Sequence, residues 1–158
     1  MKRLSLFAVM KLADSSHRRL EGFFRYYFAD DNFKLPAVHF YTGKLTALLT
    51  RAISVNGITF GGKVLIMPAL VSRNRKNQKT LPDDLIVHEI MHVIQYAEKG
   101  FIKFLYLYLK IYWINLRKTR EWNFGARRRA YLEIPFEIEA REAANEYLIW
   151  KEKQKSIV

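Results

Sequence analysis

The run Leu85-Ile86-Val87-His88-Glu89-Ile90-Met91-His92-Val93-Ile94-Gln95 constrains this chain more than any other stretch. Apolar residues occupy every side of the helix that such a run forms, and a helix apolar all round is a buried one. Its limits are legible. Thr80-Leu81-Pro82-Asp83 reads as the start: Thr80 can cap, Pro82 suits a first turn, and Asp83 completes a capping box. Gly100, just past Lys99, reads as the stop. Two His and one Glu inside a buried helix are costly unless something satisfies them. Residues four apart share a face, so His88 and His92 can offer two imidazoles to one metal ion. Glu89 lies beside the same point, poorly placed as a third ligand but well placed to hold and deprotonate a water at the metal. The alternative is a pair of core histidines with ordinary hydrogen-bond partners and a Glu89 paired to an Arg.

A catalytic zinc site needs a third protein ligand and an open position. The chain has no Cys, and His17 and His39 lie upstream. Downstream carboxylates remain: Glu133, Glu137, Glu139 and Glu142. Pro135 opens a last helix expected to continue to about Lys153. On it Glu139, Glu142, Glu146 and Lys153 share one face, a charged stripe that reads as solvated. Glu137 shares its face with Ala140, Ala144 and Leu148, a small-residue stripe that lets this helix pack closely on the first. Glu133 precedes the helix. Glu137 is therefore the expected ligand, against the alternative of an exposed first-turn Glu meeting the helix dipole. Gln95 and Tyr96 are expected to pack or hydrogen-bond near the site. Tyr131 is either a core aromatic or a phenol able to donate to an oxyanion.

With 158 residues, half of them hydrophobic, and only 7 Gly and 4 Pro, the chain can bury a core as one domain over residues 1–158. Leu20, Phe23, Phe24 and Tyr27 recur at helical spacing until Ala29-Asp30-Asp31-Asn32 breaks the pattern. A helix is expected over Lys44–Ala52. Strand-like residues 53–55 and 58–60 flank Asn56-Gly57, a hairpin dipeptide, and Gly61-Gly62 leads into an apolar strand at residues 63–67. Residues 72–79 read as a basic loop, and residues 121–129 as a basic connection. The first ten residues have the charge-then-apolar order of a signal peptide, but the apolar run is short and no cleavage site follows. No stretch has the ~18 uninterrupted apolar residues of a membrane span. A cytoplasmic location is expected, with secretion as the alternative.

Lys and Arg number 27 against 15 Asp and Glu, a net charge of +12 that favours negatively charged partners. The second expected helix, Phe101–Lys118, is greasy and aromatic, with Lys103, Lys110 and Arg117 every seven residues. Between Phe101 and Tyr131 stand eight basic residues and one acid, Glu121. Two readings stand: an interfacial helix lying on an anionic membrane surface, or a core helix whose lysines snorkel to solvent. Nucleic acid is not an expected partner, because no nucleic-acid-binding signature is present. The oligomeric state is not legible.

Residues 37–43, 52–66 and 85–95 together resemble a widespread bacterial family of small HExxH metallopeptidase domains, found free-standing or beside contractile-injection-system toxins. Typical members carry a His-Thr-Asp-like strand, a Thr-Phe-Gly strand turn and a motif helix ending Val-x-Gln. The match spans residues 38–144. Ile134-Pro135-Phe136-Glu137-Ile138-Glu139-Ala140-Arg141 also looks like the Glu-x-x-Ala element of zincins whose third ligand is Glu, which again assigns Glu137. The resemblance implies an α+β, zincin-like domain: a small sheet packed on the motif helix, and a C-terminal helix supplying the third ligand. It implies a zinc metallopeptidase acting on a peptide or protein substrate through a Glu89-activated water, with His88, His92 and Glu137 holding zinc. Residues 63–67 are then the expected edge strand beside the cleft. One departure stands out. Related zincins often place Asp four residues after the ligand Glu to orient the first His, and here that position is Arg141. The rival expectation is a non-catalytic zinc module that docks on a membrane or protein partner.

Overall fold

The computed structural model describes residues 8–52, 55–74 and 79–156. Residues 1–7 of the signal-like start, the first two residues of the expected strand at 53–55 and the middle of the basic loop at 72–79 lie outside the described residues. In chain order the elements are β1 (Ala8–Met10), α1 (Asp14–Phe28), β2 (His39–Thr42), α2 (Lys44–Ala52), β3 (Gly57–Phe60), β4 (Lys63–Ile66), a 3-10 turn (Pro68–Leu70), and the short strands β5 (Ser72–Arg73) and β6 (Lys79–Thr80). Then follow α3 (Asp83–Lys99), α4 (Phe101–Lys118), α5 (Phe124–Leu132) and α6 (Pro135–Ser156). The architecture is α+β: six helices with a small mixed sheet.

The main sheet has the order β1-β2-β4-β3, with β2 and β4 parallel and the outer pairs antiparallel. Alternation does the sorting. Phe40, Val64 and Ile66 face inward with at most 1% exposure and meet Val87, Ile90, Met91 and Ile94 of α3 in one core. The opposite wall is α6, which presents Ala140, Ala143 and Ala144; side chains this small let the two helix backbones approach closely. Phe23 and Phe24 of α1 close the core, Phe23 edge-on to Tyr147 at 5.1 Å. Each such fully buried ring contributes roughly 1.5–3 kcal/mol relative to exposure. Leu148, expected on the Glu137 face, is exposed instead. By that point α6 turns Tyr147 to α1, so the buried line shifts across the helix.

Four expectations change. The hairpin turn is Gly61-Gly62, not Asn56-Gly57: Phe60 pairs with Lys63 across it, and Gly61 takes φ 57, which glycine adopts without strain. A Cβ on Gly62 would stand 2.7 Å from the Ala37 carbonyl oxygen. Because this turn folds β3 outward while β2 takes the other side of β4, residues 63–67 hold an interior strand and β3 is an edge strand, with β1 at the far edge. Thr80 does not cap α3. It pairs with Ser72 in the small β5-β6 ladder, and Pro82 stands at the cap position. The basic connection at residues 121–129 contains a helix, α5, whose start is capped by the Asn123 side chain accepting from the Ala126 N–H at 2.8 Å. Charge density hid that cap, because the run Arg127-Arg128-Arg129 reads as solvated rather than periodic. The bounds of α2 and α4 and the stop at Gly100 (φ 78) agree with the sequence. Among the described residues no helix is long and apolar enough to cross a membrane.

Candidate metal centre

Helix α3 sets His88 and His92 one turn apart, rings 4.8 Å between centroids and nearly perpendicular. Their Nε2 atoms are 3.2 Å apart. From the first turn of α6, Glu137 reaches the same point: its Oε1 lies 3.1 Å from His92 Nε2 and its Oε2 3.3 Å from His88 Nε2. Glu137 and His92 are buried and His88 partly so, which leaves the His88 side as the approach.

These three groups fit a metal ion. Zinc–nitrogen and zinc–carboxylate bonds of ~2.0–2.2 Å in tetrahedral geometry separate neighbouring donor atoms by about 3.3–3.6 Å, near the spacings seen here. Glu137 Oε2 is buried and receives no hydrogen bond, and such an uncompensated carboxylate oxygen is costly unless a cation meets it. The electrostatics agree. Burial alone would raise the Glu137 carboxyl, but the adjoining His88 and His92 imidazoles outweigh it and hold the group well below its ordinary range. Burial alone would lower His92, yet the bond and charge of Glu137, with Glu89 behind them, carry it above its ordinary value. Both shifts express a demand for positive charge at this point.

The surroundings orient the donors. Gln95, one turn after His92, places Oε1 2.8 Å from His92 Nδ1. Its amide nitrogen donates to the Phe136 carbonyl at 3.1 Å and to Glu139 Oε2 at 2.8 Å. Two acceptors on that nitrogen fix which way the amide faces. Oε1 must accept from His92 Nδ1–H, leaving the Nε2 lone pair for a metal. Glu139 is thereby drawn out of the stripe expected to be solvated, and it supports Gln95. Arg141 takes no part: its Nη2 donates to the Leu132 carbonyl at 2.6 Å, at the end of α5. Gln95 orients His92, whereas Arg141, at the position expected to orient the first His, does not reach His88. Replacing Gln95 by Met, of similar size, is expected to weaken metal binding by roughly 10–100-fold, with a smaller loss for Glu139→Ala. Competition against a chromophoric chelator measures both, and unchanged affinity in Gln95→Met would exclude this orienting role.

Glu89 points from α3 toward the edge strand and is buried. Thr59 donates its hydroxyl to Glu89 Oε2 at 2.7 Å. A Cβ on Gly57 would stand 2.3 Å from Glu89 Oε1, so only glycine leaves this carboxylate its place. The sequence carried no sign of either contact. Nor did it mark Tyr108, which donates to Glu137 Oε1 at 2.7 Å from within the apolar run of α4. Tyr131 lies near the same carboxylate, and both phenols are pushed upward by burial first and by Glu137 second. Tyr131 is partly buried against the cluster of Tyr96, Phe104, Ile134 and Phe136, which matches its reading as a core aromatic.

A family model, the eCIS core domain, matches residues 12–100. That stretch holds β2, β3 and β4 and the whole of α3, with His88, Glu89 and His92; Glu137 lies beyond it on α6. No curated protein and no solved structure matches the chain. The link to contractile injection systems is borne out; the match does not carry the metallopeptidase assignment. The chain belongs to the eCIS core domain family, which ties it to the proteins of extracellular contractile injection systems.

Proposed function

We propose that this protein is a zinc-dependent peptidase of zincin-like fold. The observation that carries the reading is the meeting of His88, His92 and Glu137 at one buried point, with the Glu89 carboxylate beside it. The same donor types also suit Fe(II). The buried Glu89 carboxylate, held against the sheet edge by Thr59 and next in sequence to His88, favours hydrolysis instead. Zinc, when bound there, supplies Lewis acidity to a scissile carbonyl and to the attacking water.

The protein's own groups do the rest. Glu89 accepts the proton of the attacking water and returns it to the leaving nitrogen. Thr59 fixes one oxygen of that carboxylate, and Gly57 makes room for the other. The outer edge of β3, which carries both residues and is unpaired among the described residues, is suited to pair with an extended peptide by strand addition, a role that the sheet order removes from residues 63–67. Gln95 keeps His92 in the ligating tautomer. A peptide or protein is the substrate class, and acidic sequences are favoured by the +12 charge.

The test is cleavage of a mixed peptide library, acidic members included, at near-neutral pH. Protein stripped by a chelator should be inactive and protein reloaded with zinc active. A zinc-loaded, folded protein that cleaves nothing in such a library would instead support a non-catalytic zinc module.

A further inference from the structure

Helix α4 buries one side and leaves a greasy one outside. Phe104, Asn115 and Leu116 face the protein, and Tyr108 reaches Glu137 from the same side. Opposite them Ile102, Tyr106, Leu109 and Trp113, at spacings of four, three and four, form a continuous exposed stripe. Ile102 is 82% exposed. Trp113 meets Trp122 edge-on at 5.4 Å, and Trp122, itself 57% exposed, extends the patch beyond the helix. These rings are not there to complete the core.

A basic rail runs alongside. Lys103, Lys110 and Arg117 lie one stripe over and are all exposed. Lys110 sits over the Tyr106 ring at 5.7 Å and Arg117 over Trp113 at 6.0 Å. The side chains of an interfacial helix are arranged in this way: apolar and aromatic groups enter the acyl boundary, and cations beside them meet anionic headgroups. The snorkelling-core reading accounts for the inner face of α4, where Phe104, Leu107, Tyr108 and Ile111 pack, but not for the exposed apolar stripe.

We propose that the outer face of α4, with Trp122, docks on an anionic lipid bilayer surface. The charge selects the occupant. At +12 for the chain, a second copy seated on this face would set like charges against one another, whereas an acidic bilayer complements the rail. The helix lies on the membrane rather than across it. This surface is separate from the metal centre, which α4 meets from its other side through Tyr108 and through Phe104, edge-on to His92.

The experiment is vesicle co-sedimentation with the full chain, on phosphatidylcholine vesicles with and without phosphatidylserine. Binding is expected only with phosphatidylserine, with a blue shift of Trp fluorescence and quenching by brominated lipid. Replacing Lys103, Lys110 and Arg117 together by Gln should cost about 100-fold in affinity, at about fivefold for each charge. Replacing Ile102, Leu109 and Trp113 by Ser, which leaves the charge untouched, should cost about tenfold or more. Both sets are exposed, so circular dichroism melts should match wild type. Absence of binding to either vesicle would overturn the proposal. So would full binding by the Ser variant, which would mean adsorption without insertion. A dimer that the Ser variant dissolves, without vesicle binding, would reassign the face to self-association, and acidic peptide binding without vesicle binding would reassign it to a protein partner.

Discussion

Glu137→Ala is expected to lose its metal. Wild-type protein should hold about one zinc per chain, as a site with three protein ligands does. Removing Glu137 withdraws the one anionic donor from a point flanked by His88 and His92 at 3.3 and 3.1 Å. The loss should exceed the ~10–100-fold that changes in outlying partners cost, whereas Glu139→Ala, which reaches the metal only through Gln95, should fall within or below that range. Alanine also deprives the Tyr108 hydroxyl of its acceptor, a cost of about 1–3 kcal/mol in stability. Glu137→Gln addresses this, since it keeps the volume and an acceptor for the phenol while removing the charge. That variant should fold like wild type and still lose most of its zinc by elemental analysis. Stoichiometric zinc in both Glu137 variants, or equal losses in Glu137→Ala and Glu139→Ala, would remove Glu137 from the site.

Glu89→Gln separates binding from chemistry. The amide keeps the shape of the side chain and can still accept from Thr59, but it cannot take a proton. Zinc content should stay at the wild-type level while peptide cleavage falls by at least ~100-fold, the usual contribution of a general acid–base group. Gly57→Ala acts on the same carboxylate without touching its chemistry. The added methyl would lie 2.3 Å from Glu89 Oε1, so the carboxylate must move while His88, His92 and Glu137 stay in place. This variant should also keep its zinc and lose part of its activity, less than Glu89→Gln does. Cleavage unaffected by Glu89→Gln would rule out Glu89 as the base.

Much of the candidate site is legible along single elements. His88 and His92 share a helix face by spacing, and the Ala140/Ala144 stripe points Glu137 at that helix before any contact is known. The bounds of α2 and α4 and the stop at Gly100 are local as well, because capping, periodicity and glycine act over a few residues. Local signals also mislead where a long-range pairing overrides them. Thr80 has the chemistry of a cap, but strand pairing with Ser72 holds it. Asn56-Gly57 has the chemistry of a turn, yet Gly57 is needed against Glu89.

The sequence by itself determined that a buried helix carries His88, Glu89 and His92, that a second helix brings a carboxylate to it, and that the chain is strongly basic. Only the tertiary structure decided that β3 and not β4 is a sheet edge, since strand order depends on partners as distant as residues 8–10 and 40–42. It also decided which way the Gln95 amide faces, that Tyr108 serves Glu137, and that the apolar stripe of α4 looks outward. Each of these rests on a contact or an exposure set by elements far apart in the chain. Periodicity within one helix states which residues share a face, and only the packing of its neighbours states which face is covered.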